Sequence, residues 1–328
     1  MEQKLPAPAR YFPIDKGVYE VAPGLKNLGQ DLGNGARDAL VFQLDTEFPR
    51  YRESKLACRV ERLSKYLATH RYGPEVSSAV NRFLTERLVK EYPGFFSLTP
   101  AAKGSSVFRT ELTGESFTLS EAFELTSAAK CTARPAYASA FDALCSQVQE
   151  DVAVMTAGED GSNWLSAIHL CSPSHWAAEE KIGKTFFEIH APVPGIEKLN
   201  QASKFFVDAM INKGPYVRFV WGFGTDRRLN HHPEAPVGWD SVKWKGRTFD
   251  PSSEMPFILR VERQVLFGLP EVRSSVFAIR VSFIDGEEIR ANSKERELLK
   301  SGLLSMTPES RAYKGLSGCM DEVIDWLA

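Results

Sequence analysis

Residues able to do chemistry crowd into one stretch, "HLCSPSHWAAEEKIGKTFFEIHAPVPG" at positions 169–195, which holds His169, His175 and His190 of the chain's six histidines. A neutral imidazole can ligate a metal or carry a proton near neutral pH. His190 differs from the others because Pro192-Val193-Pro194 follows it closely. The prolines fix their own φ and hold Ala191 and Val193 extended, so the backbone beside the histidine is stiff. A metal ligand gains from such stiffness, since its ring direction is set before the metal arrives. The plainer reading of the same residues is a half-buried histidine bonded to a backbone carbonyl. His169, between Ile168 and Leu170, reads as a strand histidine facing away from both, either an interior polar group or the competing ligand. His175, before Trp176, reads as a residue near a helix start that either caps the helix or faces water. His70 reads as the end of the first helix, where a cation suits the dipole. His231-His232-Pro233 reads as a solvated loop, because neighbouring side chains on extended backbone diverge and do not easily share one ion.

A second group lies on "FILRVERQVLFGLP". Strand alternation puts Arg260, Glu262 and Gln264 on one face and Val261, Arg263 and Val265 on the other. Arg280 on the following strand and Arg218 on the preceding one add further inward guanidinium groups. Buried arginines need anions. Those anions are either Asp and Glu side chains of the chain itself or carboxylates of a ligand held in bidentate pairs. Gly222-Phe223-Gly224 lacks the third glycine and the following helix of a dinucleotide loop. No P-loop, HExxH or GxSxG motif is present.

The elements that must position these groups are legible from periodicity. Leu56, Val60, Leu63 and Leu67 recur at helical spacing from about Tyr51, and a second helix starts at Gly73-Pro74 and stops at Tyr92-Pro93-Gly94. Residues 115–150 read as mostly helical, and the first thirty or so as a Pro- and Gly-rich surface arm. "VAVMTA" and "WLSAIHLCS" flank the turn-rich "GEDGSN" and predict a β-hairpin. Residues 175–213 are helical in parts, with Leu199, Ala202, Phe206 and Met210 on one stripe. "YVRFVWGFG", "FILRVERQVLFGLP" and "SSVFAIRVSFID" predict three more strands, and the tail is helical with Thr307 as N-cap before Pro308. The expectation is an α+β fold: a PAS-like five-stranded antiparallel sheet, with its core at about residues 145–290, wrapped by additional helices. No linker divides the 328 residues, so a single domain is expected.

Composition narrows the function. The chain is 43% apolar and 25% charged with a net charge of −2, and it has no basic block of the kind that phosphate backbones attract. Nucleic acid is excluded on that ground. No apolar run reaches a membrane span. The N-terminal residues lack a signal-peptide pattern, and five scattered cysteines without a CxxC pair suit reduced thiols. A cytoplasmic protein with no membrane partner is expected.

"PSHWAAEEKIGKTFFEIHAPVPG" resembles the Pro-Ser-x-Trp … Glu-Lys-x-Gly … Ile-His-x-Pro-Val-Pro signature of the haem-dependent oxidative N-demethylases. "RVERQVLFGLP" with "SSVFAIRVSF" resembles that family's Arg-x-Glu-Arg-Gln-x-Leu … Leu-Pro segment and closing strand, and "VQEDVAVM" its Gln-Glu-Asp stretch. The likeness runs from about residue 10 to 300. One departure stands out: where the family usually has Arg-x-Asn-Trp, this chain has Arg218-Phe219-Val220-Trp221. The resemblance implies haem b, with His190 as axial ligand of the iron and Arg260, Arg280 or Arg218 pairing with the propionates. It implies dioxygen as co-substrate, and electrons from a separate NADPH-dependent flavin and iron–sulfur reductase. The reaction it implies is N-demethylation of a small secondary amine such as dimethylamine, giving formaldehyde and the demethylated amine. Glu262 is the carboxylate that could meet a cationic amine, or else an ion-pair partner of a strand arginine. The rival readings are a non-catalytic haem-PAS sensor of gas or redox state and a cofactorless scaffold subunit.

Overall fold

The computed structural model describes residues 4–197, 201 and 203–328. It is a mixed α+β fold built around two antiparallel sheets. The larger has seven strands in the order β1-β9-β10-β11-β7-β8-β2. The five expected strands are its inner five: β7 (Asp151–Ala157), β8 (Asn163–His169), β9 (Tyr216–Gly224), β10 (Ile258–Leu269) and β11 (Ser274–Asp285). The expectation of five strands is corrected at both edges. β1 (Lys26–Asn27), from the N-terminal arm, pairs with β9, and β2 (Leu67–Thr69) pairs with β8. Two short segments carry no periodicity to read, yet they cover backbone groups that an edge strand would leave open.

The second sheet was not expected. Residues 115–150 are mostly not helical. They contribute β5 (Ser116–Leu119) and β6 (Leu125–Ala129) to a four-stranded sheet with β3 (Phe96–Pro100) and β4 (Ser106–Thr110). Only α3 (Ala140–Cys145) is helical there. The alternation of Phe117 and Leu119 inward is a strand signal, and Phe96, Phe108 and Phe117 stack across the three strands at centroid distances of 5.6 and 6.4 Å. α2 (Pro74–Glu91) follows Gly73 as predicted, and α1 (Phe48–Arg62) has Pro49 in its first turn, but α1 ends before the predicted stripe does: Leu67 lies in β2, and Val60 is exposed. His70 lies just past β2 rather than at a helix end.

The seven-stranded sheet has two different faces. Val152, Val154, Val217, Val265, Val276 and Ala278 pack with Leu84 and Leu88 of α2 and with the small sheet. Ala153, Met155, Ile168 and Leu266 face the other way, toward the crossover from β8 to β9. That crossover contains α4 (Ala178–Lys181), α5 (Phe186–His190) and α6 (Ser203–Asn212). Phe206 and Met210 are buried on the sheet side of α6 as expected, whereas Leu199 and Ala202 lie outside the described residues. A side chain at Gly268 of β10 would place its first carbon 2.0 Å from the carbonyl oxygen of Ile211, so only glycine lets α6 sit this close. The chain after β11 is helical: α7 (Gly286–Ala291), α8 (Ser293–Leu304), α9 (Pro308–Lys314) and α10 (Met320–Leu327). Thr307 caps α9 by accepting from the Ser310 N–H at 3.2 Å. Tyr11 and Ile14 of the N-terminal arm are buried among these helices, so the arm is packed and not merely laid on the surface. No helix among the described residues is long and apolar enough to cross a membrane, and the five cysteines are unpaired.

Candidate functional site

Between the crossover face of the sheet, the crossover itself and the N-terminal arm lies a cavity of about 920 Å³, near the upper end of the range of roughly 300–1,000 Å³ for ligand sites. Strand register orders its floor. Arg218 sits beside Gln264, Val220 beside Glu262 and Gly222 beside Arg260. Leu266, Phe277 and Ile279 continue the floor as an apolar surface.

His190 closes one wall. It ends α5, a helix of one and a half turns that a capping box holds in place. Thr185 Oγ1 accepts from the Glu188 N–H at 3.2 Å, and the Glu188 carboxylate accepts from the Thr185 N–H at 2.8 Å. The ring Nδ1 lies 2.8 Å from the carbonyl oxygen of Phe186. A carbonyl only accepts, so Nδ1 carries the hydrogen and Nε2 keeps its lone pair. Nε2 has no partner among the described residues. Burial pushes the imidazole pKa down to about 4, and the charges of Arg218 and Lys181 add to that. His190 is therefore neutral at physiological pH, oriented, and offers one open lone pair.

Arg218 faces into the cavity beside it. Among the described residues its Nη2 has one long contact, 3.4 Å to the carbonyl of Ala22, and its Nε has no partner. Desolvation lowers its pKa to about 10, with Glu262 opposing. Arg260 also lines the cavity, but its guanidinium is tied to four carbonyls: Ser172 at 2.6 Å, Leu229 at 3.0 Å, Arg228 at 3.2 Å and Pro173 at 3.3 Å. Its Nε remains unpartnered. Glu262 stands between them and accepts from the Gln264 amide at 2.9 Å. Arg280 is not brought to the cavity. It projects from the opposite face of β11, level with Arg263, and pairs with Asp45 at 2.7 Å while lying over the Tyr51 ring at 3.9 Å. Of the five residues singled out in the sequence, the fold gathers His190, Arg218, Glu262 and Arg260 around one space.

Of the other histidines, His169 is the interior strand residue expected, while His231, His232 and His175 are placed differently from their sequence readings. His169 is fully buried away from the cavity, 3.5 Å from Asp142 and beside Cys171. His231 and His232 are buried rather than solvated. His231 Nε2 meets Asp226 at 3.0 Å, and His232 Nε2 meets Glu179 at 3.2 Å. Each ring finds its own acid, consistent with divergent neighbours.

His175 does not face water. It lines the cavity with φ at +63°, a left-handed backbone held by its N–H donating to the His231 carbonyl at 3.0 Å. Such strain in a non-glycine residue persists only where the surroundings enforce it. Burial, with Arg247 and His231 nearby, pushes its pKa down to about 2. Arg247 and Lys314 also line the cavity and were not read from the sequence. Lys314 Nζ donates to the Trp221 carbonyl at 2.7 Å, and burial lowers its pKa to about 8. Both arrive from distant segments without a motif around them. The only sequence signal in this group is the "PSHW" stretch containing His175.

A family model described as "Haem-dependent oxidative N-demethylase, alpha subunit-like" matches residues 35–324. The chain belongs to that family. No curated protein matches it. The family name ties the N-demethylase-like chain to haem, and its "alpha subunit" designation points to partner subunits. The site's own chemistry fits haem. A neutral imidazole with an open Nε2 suits an iron ligand whose other nitrogen is fixed by a carbonyl. The unpartnered Nε atoms of Arg218 and Arg260 suit carboxylates, and the apolar floor suits a porphyrin face.

Proposed function

We propose that this chain removes an N-methyl group oxidatively from a small secondary amine, with haem b held through its iron by His190 and through its propionates by Arg218 and Arg260. The observation that carries the reading is the open Nε2 of a neutral, oriented His190 at the wall of a cavity also lined by Arg218 and Arg260, whose Nε atoms have no partner among the described residues. When bound, haem supplies the dioxygen-dependent redox chemistry of the reaction. Overall, the amine, dioxygen, two electrons and two protons give formaldehyde, the demethylated amine and water. The electrons come from a separate NADPH-dependent flavin and iron–sulfur reductase.

The chain's own groups set the conditions. The Phe186 carbonyl fixes the His190 tautomer. The apolar floor of Leu266, Phe277 and Ile279 excludes water. Glu262, midway along the floor, holds the ammonium of the substrate. The inner strand order β8-β7-β11-β10-β9, with a helical crossover between β8 and β9, supports reading the core as PAS-like. The entire chain acts as one unit around it.

The test is an absorption spectrum and pyridine haemochrome assay on haem-supplied protein, read beside formaldehyde release from secondary amines with a chemical reductant. One haem per chain with turnover is expected. Haem without turnover of any secondary amine would turn the reading toward a sensor, and no haem uptake would leave a scaffold.

A further inference from the structure

The cavity holds more interior positive charge than its contents so far absorb. At its rim Asp15, Glu20 and Glu180 stand against Lys16, Lys26 and Lys181, three against three. Further in, Arg218, Arg247, Arg260 and Lys314 face the single carboxylate of Glu262, an excess of three (four minus one). His175 adds nothing, being held neutral. With the two propionates of haem b on Arg218 and Arg260 and Glu262 kept for the substrate's ammonium, Arg247 and Lys314 are the two cations left over, and charges withdrawn from water call for a partner.

Position says which cations remain. Arg218 is next to His190, whose protonation its charge opposes. Gly222 is four residues further along β9, about 13 Å at roughly 3.3 Å per residue. Lys314 reaches the carbonyl of Trp221, the residue before Gly222, and Arg247 is 3.5 Å from the carbonyl of Tyr313, the residue before Lys314. Among the described residues Arg247 Nε has no partner, and Lys314 Nζ has one acceptor for three hydrogens. Val220 and Glu262 lie between the two ends. A molecule lying along β9 from the His190 end thus meets Arg218 and Gln264 beside the apolar surface of Leu266, Phe277 and Ile279, then the carboxylate of Glu262, then Arg260 with Lys314 and Arg247, the last two with donors that the propionates do not use.

We propose that the substrate is a zwitterion, an N-methylated amine that also carries a carboxylate, with its ammonium at Glu262 and its carboxylate at Lys314 and Arg247. This rests on the N-demethylase reading above and narrows it. The N-methyl group then points toward the His190 end. Dimethylamine satisfies Glu262 but leaves Lys314 and Arg247 unpaired.

Isothermal titration of the haem-loaded full chain with N-methylglycine, N-methyl-β-alanine and dimethylamine tests this. At least one of the two amino acids is expected to bind tenfold or more tightly than dimethylamine. Lys314→Gln should weaken that binding about tenfold to a hundredfold, the scale of a lost charged hydrogen bond, with haem content and dimethylamine affinity unchanged. Lys314→Arg should keep most of it. Should Lys314→Gln fail to fold, Arg247→Gln takes its place with the same expectation. Dimethylamine binding as tightly as both amino acids, or no binding of any of the three, overturns the proposal. So does a Lys314→Gln protein that sheds haem while keeping amino-acid affinity, since that cation would then serve a propionate. If the wild type takes up no haem, the N-demethylase reading fails separately. The same titration on the haem-free chain then decides: selectivity for an amino acid that depends on Lys314 supports the zwitterion site, and its absence overturns it.

Discussion

The two faces of the seven-stranded sheet make opposite demands on arginine, and replacing Arg280 of β11 and Arg218 of β9 in turn by methionine separates them. Arg280 and Asp45 are each about 5–6% exposed and 2.7 Å apart, and Arg280 Nη1 also donates to the Val281 carbonyl at 2.6 Å. Arg280→Met leaves the Asp45 Oδ2 buried without its cation, a change that costs about 3–5 kcal/mol. At roughly 2–4 °C per kcal/mol for a chain somewhat smaller than this one, the melting temperature should fall by on the order of 10 °C. Among the described residues Arg218 has no carboxylate within ion-pair distance and only the 3.4 Å contact with Ala22. Methionine there removes a poorly compensated charge and adds apolar area, so stability should change by less than about 1 kcal/mol. Haem affinity should respond in the reverse order. Arg218→Met forfeits a charge-assisted bond to a propionate, about tenfold to a hundredfold in affinity, while Arg280→Met, once folded, keeps it. Thermal melts of the haem-free proteins and haem titrations followed by the Soret band read the two effects independently. A strongly destabilised Arg218→Met with unchanged haem affinity, or a stable Arg280→Met that releases haem, would refute the assignment of faces.

His190→Ala should lose haem or shift its Soret band and spin state, with partial recovery on adding imidazole, whereas His169→Ala should leave the ferric spectrum largely intact because its ring points away from the cavity; spectra of both variants check this. His190 and His175 stay neutral in the folded chain to about pH 4 and about pH 2, while the unfolded chain protonates them below about 6.5. The unfolded state thus binds more protons, and stability contributed by these groups rises with pH across that window and is lost as pH falls through it. Urea midpoints of wild type minus those of the His175→Gln, His190→Gln double variant, taken from pH 7 to pH 4, should show this slope, and a flat difference would contradict it. Thr185→Ala removes the cap of α5 and should cost about 1 kcal/mol, seen as weaker haem retention rescued by Thr185→Ser.

The strands of the large sheet were legible because their alternation is long. β10 and β11 each run twelve residues with opposed faces, and a period of two sustained over that length has one interpretation. The same alternation placed Arg260, Glu262 and Gln264 together. It could not say that Arg280 points the other way, because that depends on register: Arg280 stands opposite Arg263, and Gln264 stands opposite Ile279. Pairing register is a relation between two strands, and neither sequence carries it alone. The small sheet was missed for a related reason. Its strands are four or five residues long, and in "SFTLSEAFEL" an apolar residue recurs often enough to imitate a helix face. His175, Arg247 and Lys314 were out of reach because the cavity assembles them from a crossover, the approach to β10 and a C-terminal helix, segments whose only common feature is where they end up.

Position 220 links the family's departure to the charge pattern of the cavity. An asparagine there would put an amide across from Glu262 and could occupy one of its oxygens. Val220 offers no donor, and among the described residues the only side chain donating to Glu262 is Gln264. The carboxylate is left with open lone pairs, between an end with Arg218 and Gln264 and an end with Arg260, Arg247 and Lys314. A small amide would suit a small neutral or singly charged amine, held by one polar contact. Removing it shifts recognition onto charges spaced along β9, and spaced charges of opposite sign select a longer ligand that carries both. A valine where the resemblance implies an asparagine and the cluster of Lys314 with Arg247 thus point the same way, although nothing in the sequence connects them.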